Sequence, residues 1–242
     1  MANFIRINPI TDALLVIDAQ PTFMPGGGLA VAGGDEILPV IHRLMPYFEQ
    51  HLLATRDRHP RGHISLASSY RDIPPMTTLD TSWIARHGLH LAPHALFTEL
   101  ECALYLNRVG GQVLWPDHAI AGTDEAALHP SFGGDGAFDD VFVKGLDPKC
   151  DSYSAFFDNL HRPSDLGAAL RNRGVKRVFL CGLAFDYCVG WSAEGAIEEG
   201  FKAVVIEDAT RPVGFPEGSV DQMKASFVAK GIRLVQSSEI HI

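Results

Sequence analysis

Short, nearly continuous apolar runs alternate along the chain with stretches in which apolar residues recur at helical spacing. Ala13–Ile17 is the first run and ends at the carboxylate of Asp18, the pattern of a parallel strand buried on both faces. After the turn-rich Pro21–Gly34, Asp35 can cap a helix whose apolar positions are Ile37, Leu38, Ile41, Leu44 and Met45. His51–Thr55 reads as a second strand opening onto a polar loop, Arg56–His63. Asp140–Lys144 is a third strand ending in a lysine, and Ser164 can cap a helix that reaches Arg173 and stops at Gly174. Val178–Leu183 is a fourth strand, with helical spacing from Asp186. Ala203–Asp208, a helix over Ser219–Lys230 stopped by Gly231, and Ile232–Val235 complete the series. Strands alternating with helices predict an α/β fold: a doubly wound, mainly parallel six-stranded sheet with helices on both faces. The stretch from about 64 to 113 breaks the rhythm. Pro74–Pro75, scattered histidines and a helix over Leu96–Arg108 mark it as an insertion in a single domain spanning 1–242, and Leu114–His118 follows as a loop.

Composition narrows the partners. The chain has 242 residues, 46% of them hydrophobic, and a formal net charge of −9, so clustered Lys and Arg for a phosphate backbone are missing and no nucleic acid is expected. Asp12 and Asp18 interrupt the N-terminal apolar run, which therefore reads as neither a signal peptide nor a membrane span. The four cysteines include no C-x-x-C pair and read as reduced thiols. A soluble, cytoplasmic protein with a small-molecule partner is expected.

In an open α/β sheet, ligands bind beyond the carboxyl ends of the strands. Asp18, Lys144 and Cys188 each fall at such an end. Cys188 also lies near a helix N-terminus, where the dipole favours a thiolate. A thiol nucleophile needs a base for its proton and a cation for its charge, and carboxylate and ammonium supply both. Singly, these residues have ordinary uses as a buried cysteine, a turn cap and a surface ion pair; three converging strand ends point to catalysis. A second cluster, Asp57-x-His59-x-x-x-His63 with His118 arriving later, offers a carboxylate and three imidazoles to one divalent metal ion: zinc, iron or manganese. His87, His90 and His94 have comparable spacing, but Gly88 and Pro93 intervene and no carboxylate is interleaved.

Together these motifs resemble the nicotinamidase/pyrazinamidase branch of the isochorismatase-like cysteine hydrolases. The resemblance runs through Val16-Ile-Asp18-Ala-Gln20-Pro-Thr-Phe23, Arg56-Asp57-x-His59-x-x-x-His63, Trp115-Pro-Asp-His118, Lys144-Gly145, Asp151–Asp158 and Gly182-Leu-Ala-Phe-Asp-Tyr-Cys188. It implies that Cys188 attacks a carboxamide carbon, that Asp18 moves the proton to the leaving ammonia, and that Lys144 holds the charges. It further implies an oxyanion hole at Ala184 and Cys188 beside a cis Leu183–Ala184 peptide, and a metal on Asp57, His59 and His63, with His118, that orients the substrate ring nitrogen. Phe23 and Trp115 would sandwich the ring; Gln20, Tyr153 and Leu183 are expected to face substrate as well. Three places depart from the family pattern: the Pro21-Thr22 pair, Ala119 and Phe185. All three are expected near the pocket, where they would alter its size. The 64–113 stretch is a lid, an oligomer contact in a homo-oligomer, or a surface elaboration.

The resemblance implies nicotinamide hydrolysis. Another small amide, carbamoyl or ureido substrate would need Asp18, Lys144 and Cys188 but not the metal cluster. Vinyl-ether cleavage needs no thiol. A nucleotide-binding module would carry a spaced glycine motif after the first strand, and Gly26–Gly28 lacks that spacing. A non-catalytic metal-binding protein would have an unreactive Cys188.

Overall fold

The computed structural model describes residues 4–241. In chain order its elements are β1 (Ile5–Arg6), β2 (Asp12–Ile17), α1 (Leu38–Leu44), β3 (Leu52–Asp57), β4 (Thr77–Leu79), α2 (Thr81–His87), α3 (Glu99–Val109) and β5 (Gln112–Leu114). Then come β6 (Asp140–Lys144), α4 (Leu166–Asn172), β7 (Arg177–Leu183), α5 (Gly190–Glu198), β8 (Lys202–Arg211), α6 (Ser219–Lys230), β9 (Arg233–Val235) and β10 (Ile240–His241). Six strands form one parallel sheet in the order β6-β3-β2-β7-β8-β9. Successive strands grow outward from β2 in one direction through β3 to β6, then in the other from β7 to β9. The reversal places the switch point between β2 and β7, whose ladder ends with Ile17 beside Gly182. That is where an open sheet opens a crevice for a ligand.

Each face of the sheet has its own cover, as the alternation of side chains along a strand requires. Leu14, Val16, Phe179 and Cys181 pack with Ile37, Ile41 and Leu44 of and beside α1. Leu15, Ile17, Val178 and Leu180 pack on the opposite face with Leu166 and Leu170 of α4, Ala193 of α5 and Phe227 of α6. The expected doubly wound architecture is therefore present.

Several local expectations shift. Asp35 is not the cap of the first helix: it lies inside a 3-10 turn over Gly34–Ile37, which Gly33 caps at φ 67°, and Ile37 holds the cap position of α1. β3 runs on to Asp57, because Arg56 and Asp57 pair with Val143 and Lys144 on β6; backbone pairing extends the strand into the polar stretch read as loop. Ser164 accepts the Leu166 N–H at 3.2 Å, although Asp165 occupies the cap of α4. Leu114 ends β5 instead of opening a loop.

Between β3 and β6 the chain forms an antiparallel β4–β5 pair, α2 and α3 around a separate apolar cluster that includes Ile64, Tyr70, Phe97, Cys102 and Leu106. The predicted helix over Leu96–Arg108 begins later, at Glu99, because Thr98 and Glu101 make a capping box. Among the described residues no helix is long and apolar enough to cross a membrane.

Gly182 ties the switch point together. Its φ is +108°, and a Cβ there would lie 1.9 Å from the carbonyl oxygen of Ile17. Gly182→Ala is expected to cost roughly 3 kcal/mol or more from backbone strain plus steric overlap, read as a fall in the urea midpoint. An unchanged midpoint would mean that β2 and β7 can part without loss.

Candidate active site

Asp18 is the first residue past β2 and turns the chain at a left-handed φ of 43°, a conformation that aspartate tolerates better than most residues. Its side chain is fully buried. Thr55 on the neighbouring β3 donates its hydroxyl to Asp18 Oδ1 at 2.7 Å and accepts the Asp18 N–H at 3.1 Å. Lys144 closes the edge strand β6 and is buried. Its Nζ lies 2.9 Å from Asp18 Oδ2 and 3.2 Å from Asp57 Oδ1, and donates to Cys188 Sγ at 3.3 Å and to the Ser152 carbonyl at 3.0 Å. Both carboxylate contacts are ion pairs without hydrogen-bond alignment. The three strand-end residues read from the sequence thus meet around one ammonium.

Burial pulls the Lys144 ammonium down, but the Asp18 and Asp57 carboxylates outweigh it and hold the pKa well above the usual value. Burial raises Asp18, with Lys144 opposing. Cys188 is also pushed well up by burial, and Lys144 does not cancel it. Burial therefore works against the thiolate that a helix N-terminus would favour. Phe185–Val189 forms a π-type turn and α5 begins only at Gly190, so the dipole acts on Cys188 from beyond its own turn, and its usual effect is smaller than full desolvation.

Next to this cluster, Asp57 Oδ2 lies 3.0 Å from His59 Nε2 and 3.6 Å from His118 Nε2. His59 Nδ1 is 3.1 Å from the Gly145 carbonyl, which makes Nδ1 the donor and leaves Nε2 facing Asp57. Asp57, His59 and His118 form one convergent buried donor group; His59, His63 and Asp151 form a second that shares His59. The expected set of four is therefore divided, and Asp151 joins it unforeseen. Asp151 sits in an irregular segment, marked in the sequence only as the first residue of the Asp151–Asp158 stretch that carries the resemblance. One carboxylate oxygen and two inward imidazole nitrogens fit a divalent metal of the zinc, iron or manganese type. Burial would raise Asp57, but His59 and Lys144 overcome it and hold the carboxyl well below its ordinary range. His59 is lowered by burial and raised more by Asp57.

Phe23, Trp115, Tyr153, Tyr187, Val213 and Ala184 line a small pocket between Cys188 and the Asp57, His59 and His118 donors. The Leu183–Ala184 peptide is cis, as the resemblance implies. Two expected substrate contacts point elsewhere. Leu183 is buried in the core on the α1 face, and its place two residues after Cys181 and four after Phe179 on one strand carried that signal. Gln20 clamps the Asp57 backbone, donating to its carbonyl at 2.8 Å and accepting its N–H at 2.7 Å. Of the departures, Phe185 packs on Phe227 with ring centroids 5.5 Å apart. Thr22 donates to Glu125 at 2.9 Å and accepts the Ala119 N–H at 2.9 Å. None of Phe185, Thr22 and Ala119 lines the pocket.

The family model for the isochorismatase domain matches residues 12–229. The chain belongs to the isochorismatase family. Within that family it is similar to the nicotinamidase of Acinetobacter baylyi, 34% identical over 229 residues, covering 94% of each chain. The solved nicotinamidase/pyrazinamidase of Acinetobacter baumanii superposes with a TM-score of 0.81 at 34% identity, covering 96% of this chain and 99% of that one. The pyrazinamidase of Pyrococcus horikoshii in complex with zinc gives a TM-score of 0.63 at 28% identity, over 93% and 98% of the two chains.

His63 gives this isochorismatase-family chain an acid weakness. Burial, with His59 adding to it, lowers its pKa from 6.5 to about 4. The unfolded chain binds that proton near pH 6.5 while the folded one refuses it, so this stability is present above pH 6.5 and lost as pH falls toward 4. Metal-free protein is expected to lose about 2 kcal/mol between pH 7 and pH 5 from this group, and His63→Gln to remove that part of the slope in urea melts. An identical slope in the variant would clear His63.

Proposed function

We propose that this isochorismatase-family protein is a nicotinamidase: it hydrolyses nicotinamide to nicotinate and ammonia, a step of NAD salvage. The observation that carries the reading is the Lys144 ammonium, shared at 2.9 to 3.3 Å by Asp18, Asp57 and Cys188, with a metal-type donor group across the same pocket. Relatives named for the same reaction support the substrate. The metal donors favour a ring-bearing amide over a carbamoyl or ureido compound, for which they would have no use.

Cys188 starts as a thiol. As its sulfur attacks the carboxamide carbon, Asp18 takes the proton, and Lys144 stabilises the negative charge passing between sulfur and carboxylate. The carbonyl oxygen becomes an oxyanion, held by the backbone around Ala184 and Cys188. Asp18 returns the proton to the amide nitrogen, the C–N bond breaks, and ammonia leaves a thioester. Asp18 then accepts a proton from water as the water oxygen adds to the thioester carbon. Collapse releases nicotinate and returns the proton to Cys188. Asp57, His59 and His118, with His63 and Asp151 behind them, would hold a zinc, iron or manganese ion, which when bound would take the ring nitrogen and orient the amide toward Cys188. Phe23 and Trp115 would face the ring, with Tyr153 beside them. Gln20 keeps Asp57 in place. The four cysteines are unpaired, which suits the reducing cytoplasm.

Cys188→Ala is expected to abolish ammonia release from nicotinamide, by about 10⁴-fold or more, with the melting profile retained. Residual turnover near wild type would remove the thiol from the mechanism. Asp57→Ala is expected to lose bound metal, counted by elemental analysis, and to raise KM. Full activity in metal-free Asp57→Ala protein would exclude the metal.

A further inference from the structure

Asp186 is a buried carboxylate that the proposed chemistry does not use. It stands two residues before Cys188 in the turn that follows β7, and 4% of its surface is exposed. Its oxygens are spent on a distant loop. Oδ1 accepts the Val213 N–H at 2.8 Å, and Oδ2 accepts the Gly214 N–H at 2.9 Å and the Ser219 hydroxyl at 2.6 Å. From the next position the Tyr187 hydroxyl donates to the Phe215 carbonyl at 2.5 Å. Four hydrogen bonds, three of them to a charged acceptor, fasten residues 213–219 to the nucleophile's own turn. Charge-assisted bonds of this kind are the strong ones, and a buried carboxylate left without them would be costly. The fastened loop carries Val213, whose side chain lines the pocket together with Tyr187 and Cys188.

We propose that Asp186 is a positioning residue: it hangs the loop over 213–215 from the turn that carries Cys188, and Val213 thereby sets how large a ring the pocket admits. Nucleophile and facing wall then move as one body, so the distance between them stays fixed while other parts of the pocket adjust. A wall held in this way selects by size, since one methyl group too many in a rigid apolar pocket is poorly tolerated. This inference rests on the nicotinamidase reading for its substrate and on the hydrogen bonds alone for the latch.

Asp186→Asn is the discriminating variant. One of the terminal atoms of asparagine is a donor, so it can accept only one of the two backbone N–H groups while keeping the shape. Hydrogen exchange at the Val213 and Gly214 amides is expected to quicken by about tenfold, the equivalent of one such bond, and KM for nicotinamide to rise by about as much while kcat changes less. Val213→Ala, which leaves the latch alone, is expected to raise kcat/KM for 5-methylnicotinamide relative to nicotinamide by about tenfold, and Asp186→Asn to move that ratio the same way. Tyr187→Phe, which deletes only the bond to Phe215, gives a milder version should Asp186→Asn fold poorly. Unchanged exchange at both amides would overturn the latch. An equal loss on both substrates, or a Val213→Ala ratio that does not move, would overturn the selective role. Wild-type protein that releases ammonia from neither amide would sink the nicotinamidase reading, and the exchange rates would still decide the latch.

Discussion

The site depends on a single buried ammonium. Lys144 is almost out of water, and a charge there is tolerated only with close partners of opposite sign. Asp18 and Asp57 provide them, and the arrangement sorts their roles. Asp57, flanked by His59 and Lys144, is held firmly ionised. Asp18, buried and with only Lys144 as cation, is raised instead. Of the two carboxylates Asp18 is thus the one that can accept a proton at modest cost, which is what a base for Cys188 requires.

Topology brings these residues together. Asp18 ends β2 and Cys188 follows β7, so they flank the switch point, while Lys144 and Asp57 are paired in register on β6 and β3. Lys144 comes from the sheet edge, and its four-carbon side chain covers the distance to β2. Gln20 and Thr55 add the bracing: one fixes the backbone of the metal-facing carboxylate and the other the side chain of the base. The chemistry is therefore spread over four strands but referenced to one sheet.

Much of this was legible in the sequence because the decisive residues are polar groups closing apolar runs. Asp18 after Ile17 and Lys144 after Val143 break the pattern where a strand meets its carboxyl end. Asp57 and His59 were visible by spacing. What stayed hidden was orientation and long-range pairing. Leu183 was read as facing substrate although strand alternation puts it with Phe179 and Cys181 under α1. Gln20 looked like a pocket residue because the sequence does not show that its amide matches the Asp57 peptide. Asp151 lies in a segment without periodicity, and the stretch between β3 and β6 folds around its own cluster, whose pairings, such as Thr77 with Leu114, join residues too far apart for local patterns to reveal. The upward shift of the Cys188 thiol depends on desolvation, a property of the assembled core.

The raised thiol has a bearing on how the protein survives its surroundings. Peroxide and disulfide exchange attack thiolates, so a buried cysteine whose surroundings disfavour the thiolate is a poorer target for oxidants. Ionisation is deferred to the moment when an acceptor carbon is present and Asp18 can take the proton. The nucleophile is thus shielded by the same burial that makes it hard to ionise.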